Sequence, residues 1–306
     1  MNDFRPAYLT LLETGELEKR AAEAYRHLQD CDLCARYCHV NRRETTRGAV
    51  CRTGERAVVH SFGPHHGEED PLRGWAGSGT IFFSWCNLRC VFCQNWEISH
   101  KGVGREAEPE ELADMMLDLQ RRGCHNINFV SPSHVVAQIL AAVLIAARRG
   151  FGLPLVYNTG GYDSLEALAL LDGVIDIYMP DMKYGDSATA KHYSHVTDYW
   201  ERNQDAVREM HRQVGDLATD EKGIARRGLL VRHLVLPGGL ANTEKVLEFL
   251  SREISKNTYL NLMDQYRPCY RAREYPPLGR PLTAGEFEEA LALAKKHGLR
   301  RLDRRL

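Results

Sequence analysis

An α/β fold of six strand–helix units is what this sequence predicts: an incomplete (β/α)6 barrel behind an N-terminal helical, cysteine-rich extension. Two observations carry the prediction. Short β-branched and aromatic runs alternate with amphipathic helical stretches from residue 79 onward. Such alternation implies parallel strands joined by right-handed crossovers. Polar residues also gather where each strand should end: Cys86, Ser131, Asn158, Asp181, Arg232 with His233, and Gln265 with Tyr266. In βα folds the chemistry sits at those ends.

Residues 7–29 show helical periodicity and lead into a first group of cysteines. Residues 52–78, rich in Gly, His and Pro, read as irregular loop. GTIFFSW (79–85) is a β-rich run that stops at a cysteine. PEELADMMLDLQRRG (109–123) is a helix with Pro at its start and Gly at its end. INFVS (127–131), LPLVYNT (153–159), VIDIYMPD (174–181), GLLVRHLVLPGG (228–239) and TYLNLMDQY (258–266) read as the next five strands. Helices are expected over 134–150, 164–173, 186–215, 243–254 and 283–298. The expected units are therefore the extension, residues 1–78; the strand–helix core, 79–270; and a C-terminal helical segment packing on it, 271–306.

A formal net charge of -1 argues against nucleic acid or an anionic membrane as partner. MNDFRPAYLT lacks a basic region followed by an apolar core, so no signal peptide is expected. VVAQILAAVLIAA (135–147) is too short to span a bilayer and contains Gln138, which makes it a buried helix. A cytoplasmic protein is expected.

Seven of the nine cysteines fall in two tight groups, which in an intracellular chain read as metal or iron–sulfur ligands rather than disulfides. Cys124 and Cys269 stand apart as isolated thiols. Cys86, Cys90 and Cys93 offer three thiolates. A four-iron cubane usually takes four, so three would leave one iron open to a substrate or cofactor. A zinc site completed by His100 is the alternative. Cys31, Cys34, Cys38 and Cys51 offer four, a closed coordination sphere that suits an auxiliary [4Fe–4S] cluster or zinc. His65, His66, Glu68 and Glu69, in FGPHHGEEDPLRG (62–74), read as a solvated loop, or as a segment that joins the two cysteine groups or covers the site. The basic run RRLDRRL (300–306) reads as a solvated helix end.

The run C-NLR-C-VF-C, with Phe92 before the third cysteine, resembles the signature of the radical S-adenosylmethionine (SAM) superfamily, and the similarity extends over residues 79–270. The resemblance implies a radical SAM barrel in which Cys86, Cys90 and Cys93 hold a [4Fe–4S] cluster whose open iron binds SAM. One electron then cleaves SAM to methionine and a 5′-deoxyadenosyl radical, which abstracts hydrogen from a substrate. VRHLVLPGG, DMKYGD and YNTGGY resemble strand motifs of the pyruvate formate-lyase activating enzymes, nominating Arg232, Asp181, Lys183, Asn158 and Thr159 for SAM or substrate. Of these, Lys183 and Arg232 are the catalytic candidates. The whole pattern is similar to the PflX-type branch of those enzymes. Where most relatives carry Gly-Gly-Glu, this chain has SPSH (131–134), offering Ser131, Ser133 or His134 instead.

The family resemblance further implies a reduced flavodoxin- or ferredoxin-type electron donor and, for an activating enzyme, a protein substrate. A small molecule or side chain as substrate, with the auxiliary cluster exchanging an electron, is the alternative. The rival classes are a colourless zinc protein without catalysis and a simple electron carrier.

Overall fold

Period-two alternation along the strands decides which side chains meet the helices and which face the opposite side. In the computed structural model, which describes residues 4–303, ten strands form one sheet. They are β1 (Ala57–His65), β2 (Ser78–Phe83), β3 (Arg105–Ala107), β4 (Ile127–Val130), β5 (Leu155–Thr159), β6 (Ile177–Pro180), β7 (Ala218–Thr219), β8 (Ala225–Leu234), β9 (Tyr259–Met263) and β10 (Arg301–Leu302). Strands β2, β4, β5, β6, β8 and β9 lie side by side in that order, each parallel to the next. These six match the six predicted strands. β10 joins β9 in parallel, while β1 and β3 extend the other edge antiparallel.

One face of the sheet carries Ile127, Phe129, Leu155, Tyr157, Tyr178, Leu229 and Val231, buried against the helices. Helix Val136–Arg148 holds the longest apolar stretch and is buried on most of its surface. Helices Pro109–Arg121 and Glu16–His27 flank it. Its Gln138 Nε2 donates to the carbonyls of Glu55 at 2.7 Å and Gly54 at 3.3 Å, which satisfies the amide nitrogen in that core. No described helix is long and apolar enough to cross a membrane.

The opposite face is apolar at one end and polar at the other. Val156, Ile177, Met179 and Leu230 close around Leu72, which is fully buried. Two residues further along β5 and β8, and past β6, the same face presents Asn158, Arg232 and Asp181. The apolar end is thus a floor and the polar end a site.

Local expectations need correction at several points. Residues 57–65 are not loop but strand β1, paired with β2 from Val59↔Phe83 to His65↔Ser78. Gly63, Pro64 and two histidines hide its β character, and pairing with a neighbour supplies what propensity lacks. Residues 70–73 form a short helix that carries Leu72 into the sheet. The expected helix 186–215 is two, Ser187–Ser194 and Tyr199–Val214, broken where His195 adopts φ +56°. The N-terminal helix is likewise divided, with Gly15 at φ +73° before Glu16–His27. RRLDRRL is not a helix end: Arg301–Leu302 is strand β10, and residues 304–306 lie outside the described residues.

Leu72→Ala should cost about 2–5 kcal/mol, because the floor cannot collapse around the gap. The same truncation at Leu165, which is 47% exposed, should change stability by no more than about 0.5 kcal/mol. Urea unfolding of the two variants checks this.

Candidate active site

Beyond β2, Trp85 takes φ +68° and turns the chain sharply. The turn is held by the Trp85 N–H donating to the Ile98 carbonyl at 3.0 Å. Gly102 packs against the Trp85 ring so closely that a Cβ there would lie 2.1 Å from it. The loop that follows carries Cys86, Cys90 and Cys93. It docks on helix Ser187–Ser194 through Arg89 N–H to Ser194 O and Val91 N–H to Tyr193 O. Polar hydrogens surround the sulfurs: the Leu88 N–H lies 3.4 Å from Cys86 Sγ, Ser194 Oγ donates to Cys90 Sγ at 3.0 Å, and Ser99 Oγ lies 3.1 Å from Cys93 Sγ.

All three cysteines line one cavity of ≈ 150 Å³, together with Ser131, Asn158, Thr159, Asp181, Lys183 and Arg232. A neighbouring cavity of ≈ 240 Å³ shares Cys90, Cys93, Asp181, Lys183 and Arg232 and adds Met263 and Gln265. The fold therefore gathers residues from five strand ends around one cysteine loop.

The centre of the site is ionic. Asp181 accepts from Lys183 Nζ at 2.5 Å and from Arg232 Nε at 2.9 Å. Arg232 Nη2 donates to Asn158 Oδ1 at 2.7 Å. Burial would raise the Asp181 carboxyl, but Arg232 and Lys183 overcome it and hold the group below its ordinary value. Removing one partner from a buried network leaves a desolvated charge, at about 3–5 kcal/mol.

Other candidates have different duties. The Thr159 hydroxyl meets Ser133 Oγ at 2.9 Å and donates to Asp163 at 2.7 Å, so it braces the turn after β5. Of the SPSH residues, Ser131 lines the cavity. His134 is buried beneath it, with Nε2 2.9 Å from the Ser84 carbonyl. His233 faces away from the site, between the Met182 carbonyl and Thr243. His100 lines the cavity with its Nε2 3.1 Å from the Cys90 carbonyl. The Tyr266 hydroxyl donates to Leu278 O, while Gln265 stays at the cavity.

The largest departure from the sequence reading is the segment before Leu72. Glu68 and Glu69 are not solvated: they are 7% and 4% exposed. Asn261 of β9 donates to Glu69 at 2.9 Å. Both carboxylates act on Arg232, helping Asp181 hold the guanidinium charged against burial. Glu69 Oε2 and both polar atoms of the Asn128 side chain are buried without a hydrogen-bond partner. Nothing in the run HHGEED announces this, since adjacent glutamates normally mark a wet loop.

The four N-terminal cysteines also come together. Cys38 is hydrogen-bonded to Cys31, which with Arg42 brings Cys31 down to about 5 against burial. Burial and Cys51 push Cys34 up to about 12. Arg42, 2% exposed, donates to Cys31 Sγ at 3.4 Å, Thr53 O at 2.7 Å, Gly54 O at 3.3 Å and His134 O at 2.7 Å. Among the described residues, no three His, Cys, Asp or Glu side chains stand as ligands to a single ion.

The donor set at Cys86, Cys90 and Cys93 fits a cluster held by three thiolates. The cysteines lie in one wall of a polar cavity, and His100 is not drawn in as a fourth ligand. Burial raises the Cys86 thiol to about 12 and also raises Cys93. Metal coordination removes such protons outright.

Residues 80–220 match the model of the Radical SAM superfamily. The chain is 36% identical over 301 residues to the uncharacterized protein MJ0674 of Methanocaldococcus jannaschii, covering 95% of this chain and 82% of that protein. The uncharacterized protein MJ0808 of the same archaeon is 25% identical over 297 residues, covering 90% and 82%. Among solved structures, a radical SAM methyltransferase from Sphaerobacter thermophilus aligns at TM-score 0.49 and 14% identity, covering 74% of this chain and 66% of that one. Methylornithine synthase aligns at TM-score 0.48 and 14% identity, covering 96% and 73%. Residues 80–220 carry the radical SAM domain, and that family implies a [4Fe–4S] cluster, SAM and a reductant.

Burial lowers His134 to about 3, helped by Arg42, and His233 to about 4. Unfolded histidines take up protons near pH 6.5, whereas these stay neutral until far lower. The unfolded chain therefore binds more protons between pH 6.5 and about 4, and stability falls as pH falls through that window. His233→Gln should flatten the fall, as measured by thermal unfolding across the range.

Proposed function

We propose that this chain is a hydrogen-abstracting radical SAM enzyme of the PflX-type, activating-enzyme-like branch, with a backbone glycine of a partner protein as its target. The observation that carries the enzymatic part is the single cavity shared by Cys86, Cys90, Cys93 and the Asp181–Lys183–Arg232 network. The activating-enzyme label rests on the YNTGGY, DMKYGD and VRHLVLPGG motifs. The six parallel strands would form the incomplete barrel of such enzymes, with residues 1–78 as the extension and 271–306 as the closing segment. The expected donor is a reduced flavodoxin- or ferredoxin-type protein.

When bound, the cluster and SAM supply reductive cleavage of a sulfonium and a carbon radical for hydrogen abstraction. The chain's own residues bind and orient. Cys86, Cys90 and Cys93 would hold the cluster. Arg232 and Lys183 present cations to a carboxylate, and Asp181 fixes their geometry by pairing with both. Asn158 locks the free edge of the Arg232 fork. Ser131, at φ +60° just past β4, lines the cavity where most relatives carry Gly-Gly-Glu, with its N–H tied to the Asn158 carbonyl. Leu88 and Phe92, the latter edge-on to Tyr184 and Tyr266, limit water at the cysteine loop.

A second reading has a small molecule as substrate. The buried Glu68, Glu69 and Asn128 favour it, because polar groups below the ionic centre suit a small polar ligand.

With dithionite and SAM, the reconstituted chain should release 5′-deoxyadenosine, and a Cys86, Cys90 and Cys93→Ala triple variant should release none. Equal release from both would overturn the assignment of the site. Arg232→Met should lower SAM affinity or turnover by at least about tenfold, the worth of roughly 1.4 kcal/mol from a charged hydrogen bond. Radical spectroscopy separates the two readings: a lasting glycyl signal on a candidate partner supports activation, and its absence with turnover of a small polar molecule supports the second.

A further inference from the structure

We propose that Cys31, Cys34, Cys38 and Cys51 hold an iron–sulfur cluster and that Arg42 is its buried counter-cation and sets its potential. The inference goes beyond the reading above, which concerns Cys86, Cys90 and Cys93.

Charge is the first argument. An arginine does not give up its proton inside a protein. A buried cation needs an anion beside it. The hydrogen-bond partners of Arg42 are three carbonyls and one sulfur, none of them a carboxylate. The ionisable groups that act on it are Cys51, Cys31 and Cys34. The hydrogen bond to Cys31 Sγ gives the guanidinium a single sulfur, whereas metal-bound thiolates would be permanent anions at all four cysteines. The arginine is matched to a loaded site.

Burial is the second. Cys31, Cys34 and Cys51 are buried, Cys38 is half-buried, and all four are free thiols. A four-iron cubane takes one thiolate on each of its irons, which four such thiols supply.

Position is the third. Arg36, two residues after Cys34, donates from Nε to the Asn87 carbonyl at 2.7 Å. Asn87 follows Cys86 directly, and its Nδ2 donates to Tyr162 O, the acceptor also used by Ala35 N–H. Arg42 meets the His134 carbonyl, and the His134 ring meets Ser84 O, two residues before Cys86. A purely structural ion needs no such attachment to a redox site. Hydrogen bonds to ligand sulfur and nearby positive charge both favour the reduced cluster and raise its potential. Arg42 supplies both.

The test uses the full chain with Cys86, Cys90 and Cys93→Ala, so only the N-terminal cysteines can load. After anaerobic reconstitution, about four irons and four sulfides per chain are expected. About one zinc and no iron would overturn the cluster. In this background, Arg42→Met should lower the midpoint potential read by electron paramagnetic resonance. The expected shift is at least tenfold in the oxidised-to-reduced ratio at fixed potential, about 59 mV for one electron. Arg42→Lys keeps the charge and loses the fork, and should shift the same way by less. An unchanged potential in both, or in the lysine variant alone where the methionine variant does not fold, would overturn the role of Arg42. SAM cleavage is not measured here, so failure of the function proposed above leaves this result untouched.

Discussion

The buried carboxylate of Asp181 is the constraint around which the site is organised. Its side chain pairs Arg232 and Lys183. Its backbone carbonyl accepts from Tyr199 Oη at 3.1 Å and Asn203 Nδ2 at 3.0 Å, and its N–H donates to Thr159 O. One residue thus joins strands β5, β6 and β8 to helix Tyr199–Val214. Gly161 must be glycine for the same reason, since a Cβ there would lie 2.2 Å from the Asp181 carbonyl oxygen. Two cations can sit side by side here only because this carboxylate lies between them and desolvated ions are costly when unpaired.

Charge balance extends that constraint inward. Glu68 and Glu69 bring two further carboxylates towards Arg232, and Leu72 on the same segment seals the apolar floor below. The segment between the cysteine groups therefore does two jobs. It completes packing and sets the electrostatics of the cavity from beneath. The N-terminal cysteines show the opposite balance, a lone buried guanidinium among sulfurs. The two cysteine sites differ in their surroundings as well as in ligand number.

Much of this was legible in the residues. Six strands were readable because each is a short β-rich run closed by a polar residue, and the parallel order followed from alternation with helices. The cysteine loop was readable because thiolate spacing is local chemistry. Asp181, Arg232 and Asn158 were readable as strand-end polar groups and Lys183 from the DMKYGD motif, and the fold does bring them to one cavity. Less was legible where the answer depended on partners. Strand β1 hides behind Gly, Pro and His, and pairing with β2 makes it a strand. Thr159 was nominated from the YNTGGY motif, but its hydroxyl is bound to Ser133 and Asp163.

By itself the sequence determined the α/β class, the strand order and the two cysteine sets, because periodicity and ligand spacing are properties of neighbouring residues. Only the tertiary structure decided that Glu68 and Glu69 lie under Arg232, that His233 turns away while Arg232 turns in, and that Arg42 sits among the N-terminal sulfurs. Burial and charge compensation are settled between residues far apart in the chain. Arg42 and His134 are separated by 92 positions yet share a 2.7 Å hydrogen bond. No local pattern carries that information.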